Sequence, residues 1–298
     1  MREFEFLQPS NVIEASKMLA DLGEDCRLMA GGTALMLVMR QRMLMPGHIV
    51  SAERIEALRG IEYDPVRGLR IGALSRHSDI ARSIPVQVHY PMLASMAARV
   101  ANPQVRNQGT LGGNLCYGDP STDPPGCLMA MGAEVVLSSA RGERVLPIEN
   151  FLLDFFVTAI EPDELVLEVR VPPPAPDATG LYTRFKRTAA EHRPLVSVSL
   201  LARHEGALCH SVSLVVGASV PVPLRLRRAE EFLTGQRVSR DMARQAADMV
   251  AEDIEPLSDA RGSDVYRREM VRINAQRTIE ATFGLVTDGG PSREPTSY

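Results

Sequence analysis

The stretch Pro103-Gln104-Val105-Arg106-Asn107-Gln108-Gly109-Thr110-Leu111-Gly112-Gly113-Asn114, followed after Leu115–Tyr117 by Gly118-Asp119-Pro120-Ser121-Thr122-Asp123-Pro124-Pro125, carries the densest chemistry of the chain. The glycine pair lets the backbone approach an anion without interference from β-carbons, while Thr110 adds a hydroxyl and Asn114 an amide. This glycine-rich loop, Gly109–Asn114, suits a diphosphate. Asp123, nine residues after Asn114, suits two adjacent ribose hydroxyls, as acidic residues do in other nucleotide folds. A second loop of the same kind, Ala30-Gly31-Gly32-Thr33, stands between a strand pattern and a helix pattern, where the helix N-terminus adds a favourable dipole. Neither loop is a G-x-G-x-x-G or a Walker sequence. Two such loops from separate segments imply a dinucleotide whose diphosphate is gripped from both sides.

Outward from these loops the chain alternates elements. A helix is expected over Ser10–Leu22, capped by Ser10 and stopped by Gly23, then a strand at Arg27–Ala30, a helix over Ala34–Met43 and a strand at His48–Ala52. A second segment offers a strand at Leu69–Ala73, helices near Ser75–Ser83, Pro91–Val100 and Gly126–Met131, and a strand at Glu134–Ser138. Arg141–Arg144 then reads as a hairpin turn, and Glu164–Val171 alternates like an edge strand. Pro172, Pro173, Pro174 and Pro176 interrupt all regular structure and mark the best domain boundary. Beyond them, Tyr182–Arg187, Ser197–Arg203 and Ser211–Ala218 read as three antiparallel strands, and Ala229–Leu233, Ser239–Ala251 and Ser263–Phe283 as helices. The expected division is 1–175, with parts at about 1–58 and 59–175, then 176–284, and a disordered tail at 285–298.

Composition narrows the function classes. A chain of 298 residues with 45% hydrophobic and 23% charged content is an ordinary globular protein of two or three lobes. A net charge of −4 gives no electrostatic case for nucleic acid. No run of about 18 apolar residues crosses a membrane, and the opening MREFEFLQP has no signal-peptide pattern, so a cytoplasmic protein is expected. Cys26, Cys116, Cys127 and Cys209 form no C-x-x-C pair, so no iron–sulfur or zinc cassette is expected in this chain. His77 and Asp79 have no partner at metal-ligand spacing, and Ser75 and Ser78 lack the arrangement of a nucleophile. The run Arg225–Arg228 reads as a solvated or subunit-facing patch, and Met36, Met39, Met43 and Met45 as packing. Of 33 basic residues only Lys17 and Lys186 are lysine.

The two loops in this order, with PDELVLEVRVP at 162–172, RFKR at 184–187 and SDARGSDVYRREM at 258–270, closely resemble the FAD-binding (medium) subunits of molybdenum hydroxylases, the CO dehydrogenase and xanthine dehydrogenase family. The resemblance covers roughly residues 1–285. It implies an α+β fold: a two-lobed FAD-binding domain of the vanillyl-alcohol-oxidase type, then a C-terminal domain of a three-stranded antiparallel sheet with helices. It implies FAD held by Met29, Ala30, Gly31, Gly32, Thr33, Ala34, Leu35 and Met36 and by Thr110, Leu111, Gly112, Gly113 and Asn114, with Val100 and Asp123 beside them. Val166 resembles the position that packs on the flavin ring. Lys186 resembles the lysine that approaches the ring, where a cation near the N1–C2 edge would raise the potential; an ordinary sheet-surface lysine is the other reading. Where relatives similar to CO dehydrogenase carry an acidic residue and then an aromatic, this chain has Glu191-His192-Arg193-Pro194. His192 therefore fits either a ring-side place or an exposed loop. The resemblance further implies a small partner subunit with 2Fe–2S clusters, a large partner with molybdopterin, a dimer of heterotrimers and an external electron acceptor. A stand-alone flavin reductase similar to UDP-N-acetylenolpyruvylglucosamine reductase shares the nucleotide-binding architecture and is the alternative.

Overall fold

A computed structural model describes residues 3–285. The N-terminal part runs β1 (Glu5–Leu7), α1 (Val12–Leu22), β2 (Cys26–Met29), α2 (Leu35–Arg40) and β3 (His48–Ser51), and its three strands pair in parallel in the order β1-β3-β2. The cap of α1 is Asn11, whose side chain accepts from the Glu14 amide at 2.9 Å. Ser10 instead gives its own amide to the Glu14 carboxylate at 2.7 Å, so the two polar residues share the helix end in the opposite order from that expected.

The next part holds β4 (Ile61–Asp64) and β5 (Gly68–Gly72), then six helices in series: α3 (His77–Arg82), α4 (Ile84–His89), α5 (Pro91–Arg99), α6 (Pro103–Gln108), α7 (Leu111–Tyr117) and α8 (Pro124–Ala130). After them come β6 (Glu134–Ser139), β7 (Gly142–Pro147), α9 (Ile148–Phe151), the hairpin strands β8 (Leu152–Asp154) and β9 (Val157–Thr158), and β10 (Leu165–Val171). Five strands form an antiparallel sheet in the order β4-β5-β10-β6-β7. The segment read as an edge strand, Glu164–Val171, is therefore its centre. The misleading signal is Glu168, which is 5% exposed and lies on the Arg70 and Arg170 side chains; an ion pair, not solvent, satisfies its carboxylate.

Beyond the prolines come β11 (Ala178–Phe185), β12 (Val196–Glu205), β13 (Leu208–Gly217) and the short β14 (Leu224–Arg225), then α10 (Arg227–Leu233), α11 (Arg240–Asp253) and α12 (Asp264–Thr282). The sheet has four strands where three were expected, the two-residue β14 being too short for any alternation to show. Its register explains the serine–valine alternation in the sequence. Val198↔Val216, Leu200↔Leu214 and Ala202↔Val212 form the rows that face α10–α12 and build one core with Ala247, Val250, Val271 and Ile279. The alternate rows, Ser197↔Gly217, Ser199↔Val215 and Leu201↔Ser213, face the preceding part of the chain. These small residues let α8 lie close: a β-carbon on Gly126 would sit 3.8 Å from the Ser199 hydroxyl and from Val215. The other core gathers Val50, Ile71, Leu93, Val135 and Val169 and extends to Tyr182 and Val215, so the seam between the two halves is itself buried. Each such fully buried Val, Leu or Ile contributes about 1.5–3 kcal/mol. The tail expected at 285–298 lies, from 286 onward, outside the described residues.

Candidate cofactor site

The two glycine-rich segments meet. A β-carbon on Gly31 would overlap the carbonyl oxygen of Gln108 and lie 3.0 Å from Gln108 C and from Gly109 Cα, so only glycine permits this approach. One on Gly113 would lie 3.5 Å from Ala30 Cβ, and one on Gly109 3.5 Å from Thr33 Oγ1. Gly32 adopts φ +70°, which turns the chain from β2 into α2. Around that turn the amides of Gly32, Thr33, Ala34 and Leu35 have no acceptor among the described residues, and neither does the Thr33 hydroxyl. Four successive open donors at a concave turn are what a diphosphate requires, and a cradle that admits no β-carbon fits it.

The second segment contributes differently from the loop expected. Residues from Leu111 onward are helical: Thr110 caps α7 by accepting from the Gly113 amide at 3.2 Å, while the Leu111 and Gly112 amides donate to Ser75 O and Ala73 O at 2.9 Å each. A β-carbon on Gly112 would crowd Ala73 Cβ at 2.6 Å, so this glycine serves close packing. The Asn114 amide group is held by Thr122 at 2.8 Å. The second segment is thus a rigid wall, and the open donors belong to the first.

Behind that wall the segment 118–123 clasps the two halves of the chain together. Asp119 pairs with Arg193 at 2.9 Å, Ser121 accepts from Arg261 at 2.6 Å, and Asp123 accepts from the Tyr182 hydroxyl and from Arg184 at 3.2 Å. Alternate residues meet the C-terminal part of the chain, Asp123 at β11 and Asp119 and Ser121 at the segments that hold Arg193 and Arg261, and Thr122 faces Asn114. Asp123 is 2% exposed. Burial pushes its carboxyl above the usual range, against the pull of Arg184 and Tyr182, and the Tyr182 hydroxyl is raised with it by burial and by the Asp123 charge. Both oxygens being engaged within the protein, a ribose hydroxyl would be a further contact to their remaining lone pairs. Asp259 orders the same end of the sheet. Burial opposes its charge, but bonds from the fully buried Arg267 and from the Arg261 amide outweigh that and pull its carboxyl down to about 2.

The other expected residues are placed as follows. Lys186 follows β11, half-buried, and donates to Ala189 O at 3.2 Å; its charge reaches Asp123. His192 is exposed in the segment after it. Val166 is 4% exposed and packs into the core, as does Val100, while Leu167 is the half-buried neighbour. Leu111 is fully buried. Met29 and Met36 flank Gly32, each with side-chain atoms within 3.6 Å of its missing β-carbon.

Sequence reading missed Tyr182, Arg184, Arg193, Arg261 and His77. The parity of Tyr182 and Arg184 within the expected strand Tyr182–Arg187 was the available signal for the first two, since it sets both on one sheet face. His77 is 2% exposed, its amide donates to Gly109 O at 3.2 Å, and its ring Nδ1 has no partner. Burial, aided by the Arg106 charge, holds its ring neutral, with a pKa lowered to about 4. Among the described residues no group of three or more His, Cys, Asp or Glu side chains could hold a metal, and no helix is long and apolar enough to cross a membrane.

Comparison with known proteins agrees with this geometry. Residues 2–174 match the family described as the FAD binding domain in molybdopterin dehydrogenase, and 181–282 match the CO dehydrogenase flavoprotein C-terminal domain. The chain is 32% identical over 280 residues to the carbon monoxide dehydrogenase medium chain of Hydrogenophaga pseudoflava, covering 94% of this chain and 97% of that one. It is 26% identical to the xanthine dehydrogenase FAD-binding subunit of Escherichia coli O157:H7, covering 91% and 92%. The solved carbon monoxide dehydrogenase from Hydrogenophaga pseudoflava that lacks the Mo-pyranopterin moiety superposes with a TM-score of 0.91 at 32% identity, over 96% of this chain and 99% of that one. The chain belongs to the FAD-binding medium subunits of the molybdenum hydroxylases, the CO dehydrogenase and xanthine dehydrogenase type, and is an FAD-binding oxidoreductase subunit.

Proposed function

We propose that this chain is the electron-transfer subunit of a multi-subunit molybdenum hydroxylase, taking electrons from the 2Fe–2S clusters of a small partner and passing them to an external acceptor. A large partner holds the molybdopterin, the assembly is a dimer of heterotrimers, and it works in the cytoplasm. The observation that carries the reading is the row of open amides at Gly32–Leu35 set against Gln108 and Gly109, where a diphosphate can lie. FAD bound there supplies chemistry that joins one-electron donors to one- or two-electron acceptors. The chain's own residues then do positional and electrostatic work. Met29 to Met36 and Thr110 to Asn114 hold the diphosphate end, and Asp123 anchors the clasp beside it. Lys186, two residues beyond Arg184 and just past the clasped strand, would present its ammonium to the ring, where it would stabilise negative charge and raise the potential. His192 and Val166 are the remaining positions proposed near the ring.

The isolated full chain tests this. As an electron-transfer subunit it should oxidise a nicotinamide donor only slowly with an artificial dye. Rapid nicotinamide-dependent turnover of UDP-N-acetylenolpyruvylglucosamine would instead make it a stand-alone reductase and overturn the reading.

A further inference from the structure

The seam between the two halves is filled along most of its length, by α8 against the serine-rich sheet face and by the Asp123 clasp at the flavin end. At the opposite end, where α8 has finished, a cavity of about 260 Å³ remains. Its floor is two register rows of the sheet, Gly180–Leu201–Ser213 and Ala178–Arg203–Ser211. Met92, Met131 and the prolines 172–174 form the walls. Gly180 deepens the floor, since a β-carbon there would press on Met92 at 3.1 Å.

The polar groups at the cavity are unbalanced. Ser213 Oγ is buried with no hydrogen-bond partner. Arg225, a diagonal neighbour of Ser213 through the Val215↔Arg225 pair, spends its Nε on Glu230 at 2.8 and 3.1 Å, and its two terminal amino groups have no partner among the described residues. The carbonyl oxygen of Pro172 is already taken by the Tyr90 hydroxyl at 3.0 Å. The open groups at the cavity are thus a guanidinium fork and a hydroxyl that can donate beside it, which suits an anionic, acceptor-only head group.

We propose that this cavity is a binding site for a small monocarboxylate with a compact apolar body, its carboxylate taken by the Arg225 fork and the Ser213 hydroxyl and its body by the Met92, Met131 and proline walls. A dry cavity of about 150 Å³ accepts benzene, so the larger space here holds a ring and a carboxylate, about nine heavy atoms. The site is independent of the flavin reading, lying at the far end of β11 from Lys186.

The test titrates the full FAD-loaded chain with benzoate, and with benzyl alcohol as its uncharged counterpart, by calorimetry. Saturable binding of one benzoate per chain is expected, with benzyl alcohol at least about tenfold weaker. Ser213→Ala, which leaves one open donor fewer, should weaken benzoate about fivefold to tenfold, and Arg225→Lys, which keeps a cation on Glu230 but loses the fork, should do the same. Flavin content should stay unchanged in both. Ser213→Ala touches no charged partner, so it decides the matter if Arg225→Lys fails to fold. No saturable benzoate binding would make the space a packing void, and equal affinity for benzyl alcohol or parental affinity in Ser213→Ala would show that no carboxylate is recognised there; each overturns the proposal.

Discussion

Replacing Gly31 by alanine tests the cradle at its narrowest point. The φ of Gly31 is not positive, so the backbone accepts alanine and the whole effect is steric. The new methyl overlaps the Gln108 carbonyl oxygen and lies 3.0 Å from Gln108 C and Gly109 Cα, and backbone on both sides prevents a side-chain escape. Relief requires the two loops to part by about 1 Å, a strain of about 1–3 kcal/mol on the fold. That displacement carries an amide donor from about 2.9 Å to about 3.9 Å from a phosphate oxygen, beyond hydrogen-bond range. A charge-assisted bond is worth about 1.5–3 kcal/mol, so losing one or two weakens FAD by about 3 kcal/mol, roughly 100-fold in Kd. The assay is titration of the apo chain with FAD, followed by flavin fluorescence. Gly32→Ala is the milder comparison: its φ of +70° costs about 1–2 kcal/mol of backbone strain, but its methyl would meet the mobile Met29 Sδ at 3.3 Å. If Gly31→Ala binds FAD within threefold of the parent, the loops do not form the cradle described.

Asp123→Asn should cost about 3 kcal/mol, lowering Tm by roughly 6–10 °C, because it leaves the Arg184 charge inside the seam without its counter-charge; differential scanning calorimetry reads it. Lys186→Gln should lower the flavin midpoint potential by about 30 mV or more, equivalent to about 1.4 kcal/mol for two electrons, and Lys186→Arg should also shift potential or binding. Lys17→Arg, on the exposed face of α1, should change neither. His77 has a folded pKa of about 4 against an ordinary 6.5, so its neutral ring stabilises the fold fully above pH 6.5. That contribution, about 3 kcal/mol, is lost as pH falls from 6.5 through 4. His77→Gln should flatten the fall in urea midpoint across that window, and an unchanged slope would contradict it.

How far the fold was legible depended on which signals are local. The Ala30–Thr33 and Gly109–Asn114 segments announced themselves through their glycine pairs, and the structure sets Gly31 so close to Gln108 and Gly109 that no β-carbon fits between. The proline run was equally plain. What sequence could not show was which partner a polar residue would find. Glu164–Val171 read as an edge strand because nothing local indicates that Arg70, on β5, meets the Glu168 carboxylate. Asp123 read as a ligand group alone, although Tyr182 and Arg184 from another sheet occupy both its oxygens. The strand runs at Ser197–Arg203 and Ser211–Ala218 were legible, but nothing local indicates that their serine-bearing face packs closely against α8 from the other half. Thr110 also hid a helix start inside a loop, since a cap followed by two glycines has no helical propensity to read.

Purification of the native assembly under reducing conditions, with flavin, iron and molybdenum measured on the same sample, tests the central claim most directly. The account predicts one FAD per chain and two companion chains, one with the absorption of 2Fe–2S clusters and one carrying molybdenum. A colourless chain that takes up no FAD, or a yellow protein that comes off alone and free of iron and molybdenum, would contradict it.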